Sequence, residues 1–209
     1  MNIGIMKAKN SIMSQRKLYL FLIGLIIVGL ISGILFLFAI NDTDKSLVLD
    51  NLTSFFTGIK DGQGINYGDS LINSLLTNII YILLIWLLGI SIIGLPIILI
   101  IVAIKTFIIG FSISSIISIY GFKGVIGAIC YTVPHQLVYI FLLLLLSFYS
   151  VSFCIKLFKY LFLKQSINFK LAMQRYLKIL IISIGIGILS SLLEVFVSTY
   201  LIKLFTLLI

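Results

Sequence analysis

Very few side chains in this sequence can do chemistry, and the ones that can lie in apolar surroundings. Lys105 sits within the apolar segment 95–120 and Glu194 within 179–202. An unpaired charge at mid-bilayer costs at least about 2.5–3.5 kcal/mol on insertion scales, so such residues pair or face an internal cavity. Lys105 and Glu194 are therefore candidates either for a register-setting bond between two helices or for an ion or proton pathway. His135, between Pro134 and Gln136, is the single histidine. It has no second histidine, Cys-x-x-Cys pair or adjacent carboxylate to complete a metal shell, and it reads as a packing or hydrogen-bonding residue. Cys130 and Cys154 are 24 residues apart, which on one helix separates them by about 36 Å, too far for a disulfide. A Gly-x-Ser-x-Gly elbow, a Gly-rich phosphate loop and a carboxylate pair on one face are all missing from the sequence. The expectation is a protein that is not an enzyme, with no catalytic residues, metal, cofactor or small-molecule substrate.

The elements that must position these residues are membrane spans. Of 209 residues, 61% are hydrophobic and 10% charged, with a mean hydropathy of +1.28, far from the roughly 25% charged of a soluble domain. The net charge of +9 is unevenly spread. Residues 1–17 carry Lys7, Lys9, Arg16 and Lys17 without an acid, and residues 156–178 carry Lys156, Lys159, Lys164, Lys170, Arg175 and Lys178 without an acid. Residues 41–70 invert the sign, with Asp42, Asp44, Asp50, Asp61 and Asp69 against Lys45 and Lys60. Basic loops stay in the cytoplasm, so the bilayer explains the charge better than nucleic acid does.

Hydropathy predicts an all-α bundle of about five transmembrane helices in a single domain with the amino terminus cytoplasmic. Residues 18–40 are an uncharged run of 23, long enough to cross a core of about 30 Å. They extend well past the apolar region of a cleaved signal peptide, the competing reading. The second span is placed at 71–93, opening on Asn73, Ser74, Thr77 and Asn78 and ending near Gly89, Gly94 and Pro96. Proline removes a helix donor and restricts the residue before it, which predicts a tight turn into a third span at 95–120. A turn at 121–124 leads to a fourth span, 124–155, kinked or broken at Pro134. The basic segment 156–178 precedes a fifth span at 179–202. With the 1–17 tail inside, the acidic 41–70 segment is external and both basic segments are cytoplasmic, so charge and parity agree. A re-entrant third or fourth segment is the alternative.

The extramembrane pieces are small. Val48, Leu52, Phe55 and Ile59 fall on one face of a helix over 46–60, which predicts an external amphipathic helix that lies on the leaflet or docks a partner. Residues 156–164 alternate lysines with bulky apolar groups and read as a membrane-surface helix rather than a nucleic-acid site. Small residues four apart recur as Gly29/Gly33, Gly110/Ser114/Ser118, Gly124/Ala128 and Ser183/Gly187/Ser191. Such faces let helices approach closely, within the chain or against a partner.

The stretch Trp86-Leu-Leu-Gly89-Ile-Ser-Ile-Ile-Gly94-Leu-Pro96, then Lys105-Thr-Phe-Ile-Ile-Gly110-Phe111, Gly121-Phe-Lys-Gly124 and Val133-Pro134-His135-Gln136, resembles the stage II sporulation protein M family. The basic amino terminus, the external segment, the basic connection and Ser191-Leu-Leu-Glu194-Val-Phe-Val-Ser198 extend the likeness over nearly the whole chain. Members from sporulating bacteria usually carry Pro-Gln-Asn where this chain has Pro134-His135-Gln136. The resemblance implies a multi-pass bacterial cell-membrane component of the engulfment machinery. It would act with stage II sporulation proteins D and P, holding these peptidoglycan-degrading enzymes at the septal and engulfing membrane. The small-residue faces and the 46–60 helix are then the candidate partner surfaces, with Lys105, Glu194 and residues 134–136 holding the bundle together. The rival reading is a small transporter, channel or permease subunit, motivated by broken helices beside buried polar groups.

Overall fold

The computed structural model describes residues 2–60, 66–162 and 168–206. They form α1 (Asn2–Ala39), α2 (Asp42–Lys60), α3 (Tyr67–Gly89), α4 (Gly94–Phe162), α5 (Phe169–Leu192), a π-helical turn at Leu193–Ser198 and α6 (Thr199–Thr206). No strand occurs among the described residues. The chain is an all-α membrane bundle. Stretches at Gln15–Ala39, Tyr67–Gly89, Gly94–Phe162 and Phe169–Phe205 are long and apolar enough to cross a membrane.

The third of these stretches holds two crossings. Gly121 takes φ 56° and ψ −129° and breaks α4 into two legs, α4a (94–120) and α4b (122–162). An L side chain resists that left-handed conformation, whereas glycine adopts it freely. Each leg exceeds the ~20 residues that a crossing takes, so length and composition allow five passes. The legs lie antiparallel. Near the reversal Gly124 packs against Ile116 and Ile117; further along, Lys105 reaches the Tyr139 ring; and Cys154 Sγ comes to 3.3 Å from the Ser91 carbonyl.

The other neighbours alternate in the same sense. α1 runs parallel to α4a, with the Phe36 ring 5.2 Å from Phe107 and 6.0 Å from Phe111. α3 is antiparallel to α5, as the pairs Trp86–Tyr176 and Asn78–Ser191 require. α4b is also antiparallel to α5, with Phe153 on Tyr176 at one end and His135 on Ser198 at the other. The first and third passes thus run parallel and the second and fifth antiparallel, the polarity expected of complete crossings.

Several boundaries move. α1 is helical from Asn2, so the basic 1–17 segment continues into the first span. Pro134 does not break α4b, and the reversal falls on one residue, Gly121, instead of a turn over 121–124. The fourth pass reaches Phe162 and the fifth helix begins at Phe169. Of the basic 156–178 segment, Lys156 and Lys159 therefore end α4b, Lys170, Arg175 and Lys178 open α5, and Lys164 lies outside the described residues. Helix starts are capped locally. Asn66 accepts from the Gly68 and Asp69 amides and donates to the Asp69 carboxylate at 2.6 Å, a reciprocal cap at the start of α3. Asn168 accepts from Leu171 N to start α5.

Two apolar clusters hold the bundle. The larger joins Ile26, Ile82, Ile98, Val102, Leu142 and Leu146 across four helices. The smaller joins Phe56, Ile116, Ala128, Ile202 and Phe205 beneath α2. α2 caps the end of the bundle formed by the Gly121 reversal and α6. Its anchor is Phe56, 2% exposed and edge-on to Tyr120 at 5.5 Å and Phe205 at 5.9 Å. The sequence places Phe55 on the apolar face, yet Phe55 is 47% exposed and its neighbour takes the buried position.

Candidate functional site

Most of the small-residue positions pack inside the chain. A side chain at Gly29 would meet Thr106 and the Ala103 carbonyl, one at Gly33 the Phe107 carbonyl, and one at Gly110 the Leu30 carbonyl. α1 and α4a therefore pack backbone to backbone. Gly187 makes room for Ile82, while Ser183 and Ser191 are fully buried. The glycines of these faces are thus filled by helices of this chain, while Ser118 at the end of one face is exposed.

Gly89 and Gly94 work at the end of the bundle opposite α2. Gly94 passes against the Leu88 carbonyl in the tight turn from α3 to α4, and Pro96 lies exposed in the first turn of α4, where no amide donor is needed. Gly89 leaves space for the Tyr176 hydroxyl. That hydroxyl donates to the Trp86 carbonyl at 2.8 Å and lies 2.8 Å from Ser150 Oγ, from which it can accept. The Tyr176 ring is stacked between Trp86 at 5.3 Å and Phe153 at 4.5 Å. This clamp ties α3, α4b and α5 together.

Nearer the α2 end, the bundle opens into a polar cavity of about 420 Å³. From α3 it receives Ser70, Asn73, Ser74, Thr77 and Asn78, which at spacings of three and four form one helical face. α4a supplies Lys105, Ile108 and Ile109, α4b supplies His135, Gln136 and Tyr139, α5 supplies Ser190 and the π-helical turn supplies Glu194. Four passes thus bring Lys105, His135, Gln136 and Glu194, all singled out by sequence, into one cavity. Pro134 adjoins it on α4b, whereas Gly110 and Gly124 serve helix packing at α1 and at the hairpin.

Lys105 and Glu194 do not make a direct ion pair there. The Lys105 ammonium lies 3.4 Å from the Tyr81 ring centroid and 5.6 Å from that of Tyr139. The Glu194 carboxylate accepts from Ser74 Oγ at 2.6 Å. Tyr81 and Ser74 are seven residues apart on α3, about 10 Å along the helix, so the two charges mark opposite ends of the cavity. Each charge has its own partner on α3 instead of reaching the other.

The wall around them is partly satisfied and partly not. Asn78 donates to Ser191 Oγ at 2.8 Å. His135 Nδ1 lies 3.0 Å from Ser198 Oγ, and its carbonyl accepts from Ser190 Oγ at 3.2 Å. The buried Tyr139 hydroxyl has no partner. Glu194 stands in the π-helical turn Leu193–Ser198, whose wider winding keeps Ser190, Glu194 and Ser198 on one side of the helix as the chain advances. Sequence pattern does not reveal that turn. The polar face of α3, by contrast, is readable as a period in the sequence, and Tyr81 and Tyr139 are visible only through what they touch.

The family model described as Stage II sporulation protein M matches residues 18–199. The chain belongs to the stage II sporulation protein M family. Within this family member the matched region takes in most of every apolar stretch, α2 and every residue of the cavity wall, so its membrane bundle is that of a sporulation family. No curated protein and no solved structure matches the chain.

Proposed function

We propose that this chain is a non-enzymatic membrane scaffold of engulfment that recruits and holds peptidoglycan hydrolases, of the stage II sporulation D and P type, at the septal and engulfing membrane. Family membership supports the process, and the placement of α2 supports the role. α2 is the one described helix outside the spans, and its docking through Phe56 fixes which face it shows. Val48, Leu52 and Phe55 turn towards a space of about 440 Å³ whose far wall includes Phe111, Ile116 and Tyr131, and Ile59 packs on the Phe56 cluster. Ile59 and Phe56 therefore hold α2 to the bundle, while Val48, Leu52 and Phe55 border an open apolar space. The outward side of α2 carries Asp42, Asp44, Asp50 and Ser54, together with exposed Leu47 and Phe55. A rigid, charged platform at the membrane surface suits the docking of an extracytoplasmic enzyme better than catalysis.

Site-specific photocrosslinkers at Asp44, Asp50 and Ser54, introduced singly, test this. Adducts with the wall hydrolases are expected from these positions and not from lipid-facing Ile181. Absence of adducts from all three would remove α2 as the platform.

The polar cavity favours a second reading, a small transporter, channel or permease subunit, because charged groups inside a bundle commonly line a pathway. Solute flux in reconstituted vesicles that is lost in Lys105 or Glu194 variants would support it over the scaffold.

A further inference from the structure

The cavity wall is not closed on the bilayer side. Asn73 and Thr77 on α3 are exposed, and facing them on α4a Ile108 is 47% exposed, so the mouth lies between these two helices. Polar side chains presented to hydrocarbon are costly and call for a polar occupant. The mouth starts at Ser70, one turn from the beginning of α3, and descends to the level of Lys105. It is a polar track from the membrane surface at the α2 end to a charged floor.

Three unmet demands define the occupant. The Lys105 ammonium rests on the Tyr81 ring, with no hydrogen-bond acceptor among the described residues. The Tyr139 hydroxyl beside it is buried and unpartnered. Together they would take up an anion. Nearer the surface, Glu194 accepts one bond from Ser74 and retains lone pairs for a cation with N–H donors. The order is therefore amine acceptor above, anion donors below, about 10 Å apart as the Ser74-to-Tyr81 rise measures it. A phosphate joined to a primary amine by a short linker, hydrogen-bonded at both ends, spans such a gap in that order. In a phospholipid of the leaflet at the α2 end, the amine also lies towards the surface and the phosphate deeper. The acyl chains can stay in the bilayer through the sideways mouth.

We infer that this cavity binds an aminoalkyl phosphate zwitterion, entering between α3 and α4a, with its amine on Glu194 and its phosphate on Lys105 and Tyr139. The headgroup of an aminophospholipid and a free aminoalkyl phosphate share this chemistry. The inference does not depend on the scaffold role.

The purified full chain in detergent is titrated with dihexanoyl phosphatidylethanolamine, with the phosphatidylcholine and phosphatidylglycerol of the same chains, and with free phosphoethanolamine, reading binding by native mass spectrometry. Phosphatidylethanolamine is expected to bind about 10-fold more tightly than the other two lipids, because each lacks an amine that can donate to a charged carboxylate. Glu194→Gln should bring it close to phosphatidylcholine. Thr77→Trp, an exposed substitution that leaves both charges in place, should block all binding by filling the mouth. Competition by free phosphoethanolamine would identify a soluble source, and its failure to compete would identify the lipid. Equal binding of the three lipids to the unaltered chain, or a preference unchanged by both Glu194→Gln and Thr77→Trp, would overturn the assignment.

Discussion

The Lys105 ammonium lies 3.4 Å from the Tyr81 ring centroid, and this contact rather than a carboxylate anchors the one cation inside the third pass. A cation on an aromatic face is worth about 0.5–1 kcal/mol in water and about 2 kcal/mol when desolvated, and half-buried Lys105 falls between these. Tyr81→Leu should therefore lower the thermal unfolding midpoint in detergent, while Tyr81→Phe, which keeps the face, should leave it nearly unchanged. Equal losses in both variants would show that the phenol oxygen and not the ring matters.

Glu194 is held by Ser74, and Lys105 is two helical turns away along α3. A double-mutant cycle between Ser74→Ala and Glu194→Gln should give a coupling of about 1–2 kcal/mol, as expected for a hydrogen bond to a charged group. The cycle between Lys105→Met and Glu194→Gln should give the smaller coupling. A larger value there would mean that the two charges pair directly.

Gly33 and Gly24 lie on the same helix but differ in what surrounds them. A Cβ at Gly33 meets the Phe107 carbonyl, whereas one at Gly24 meets nothing within 4 Å. Gly33→Ala should cost stability by forcing α1 off α4a. Gly24→Ala should be neutral or stabilise by up to about 1 kcal/mol through helix propensity. Equal effects on the unfolding midpoint would refute the close packing of these two helices.

At Gly121 the cost of substitution is conformational, since a Cβ there has open space around it but φ is 56°. Gly121→Ala should destabilise by about 1–2 kcal/mol. Gly121→Asn should lose as much in the same unfolding assay, because ψ −129° lies outside the αL region that asparagine tolerates.

Phe56 and Phe55 adjoin in sequence and differ in role. Phe56→Ala should release α2 and raise the rate of proteolysis between residues 42 and 60 of the reconstituted protein. Phe55→Ala should leave it close to the unaltered rate. The reverse order would mean that α2 docks through its other face.

Much of this architecture is written in the sequence, for identifiable reasons. Apolar runs bounded by charge report long apolar helices directly, so their number and order are legible, and small residues four apart report close helix contacts. Lys105, His135, Gln136 and Glu194 stand out because polar groups are rare in such runs, and the structure gathers them in one cavity. Their partners are another matter. Depth along two helices can be counted, but not the lateral position that gives Lys105 a tyrosine ring and Glu194 a serine. The π-helical turn at Leu193–Ser198 has no compositional mark. Continuity of α4b through Pro134 likewise depends on neighbouring helices, and the choice of Phe56 over Phe55 depends on the bundle surface beneath α2.

Recovery of partners tests the scaffold role most directly. The tagged chain would be purified in mild detergent during early sporulation, beside a variant carrying Asp44→Lys and Asp50→Lys, and the bound proteins identified by mass spectrometry. The scaffold role predicts that wall hydrolases of the D and P type accompany the unaltered chain and are depleted with the variant. Recovery of an ATPase or a solute-binding subunit instead, or of no reproducible partner, would contradict it.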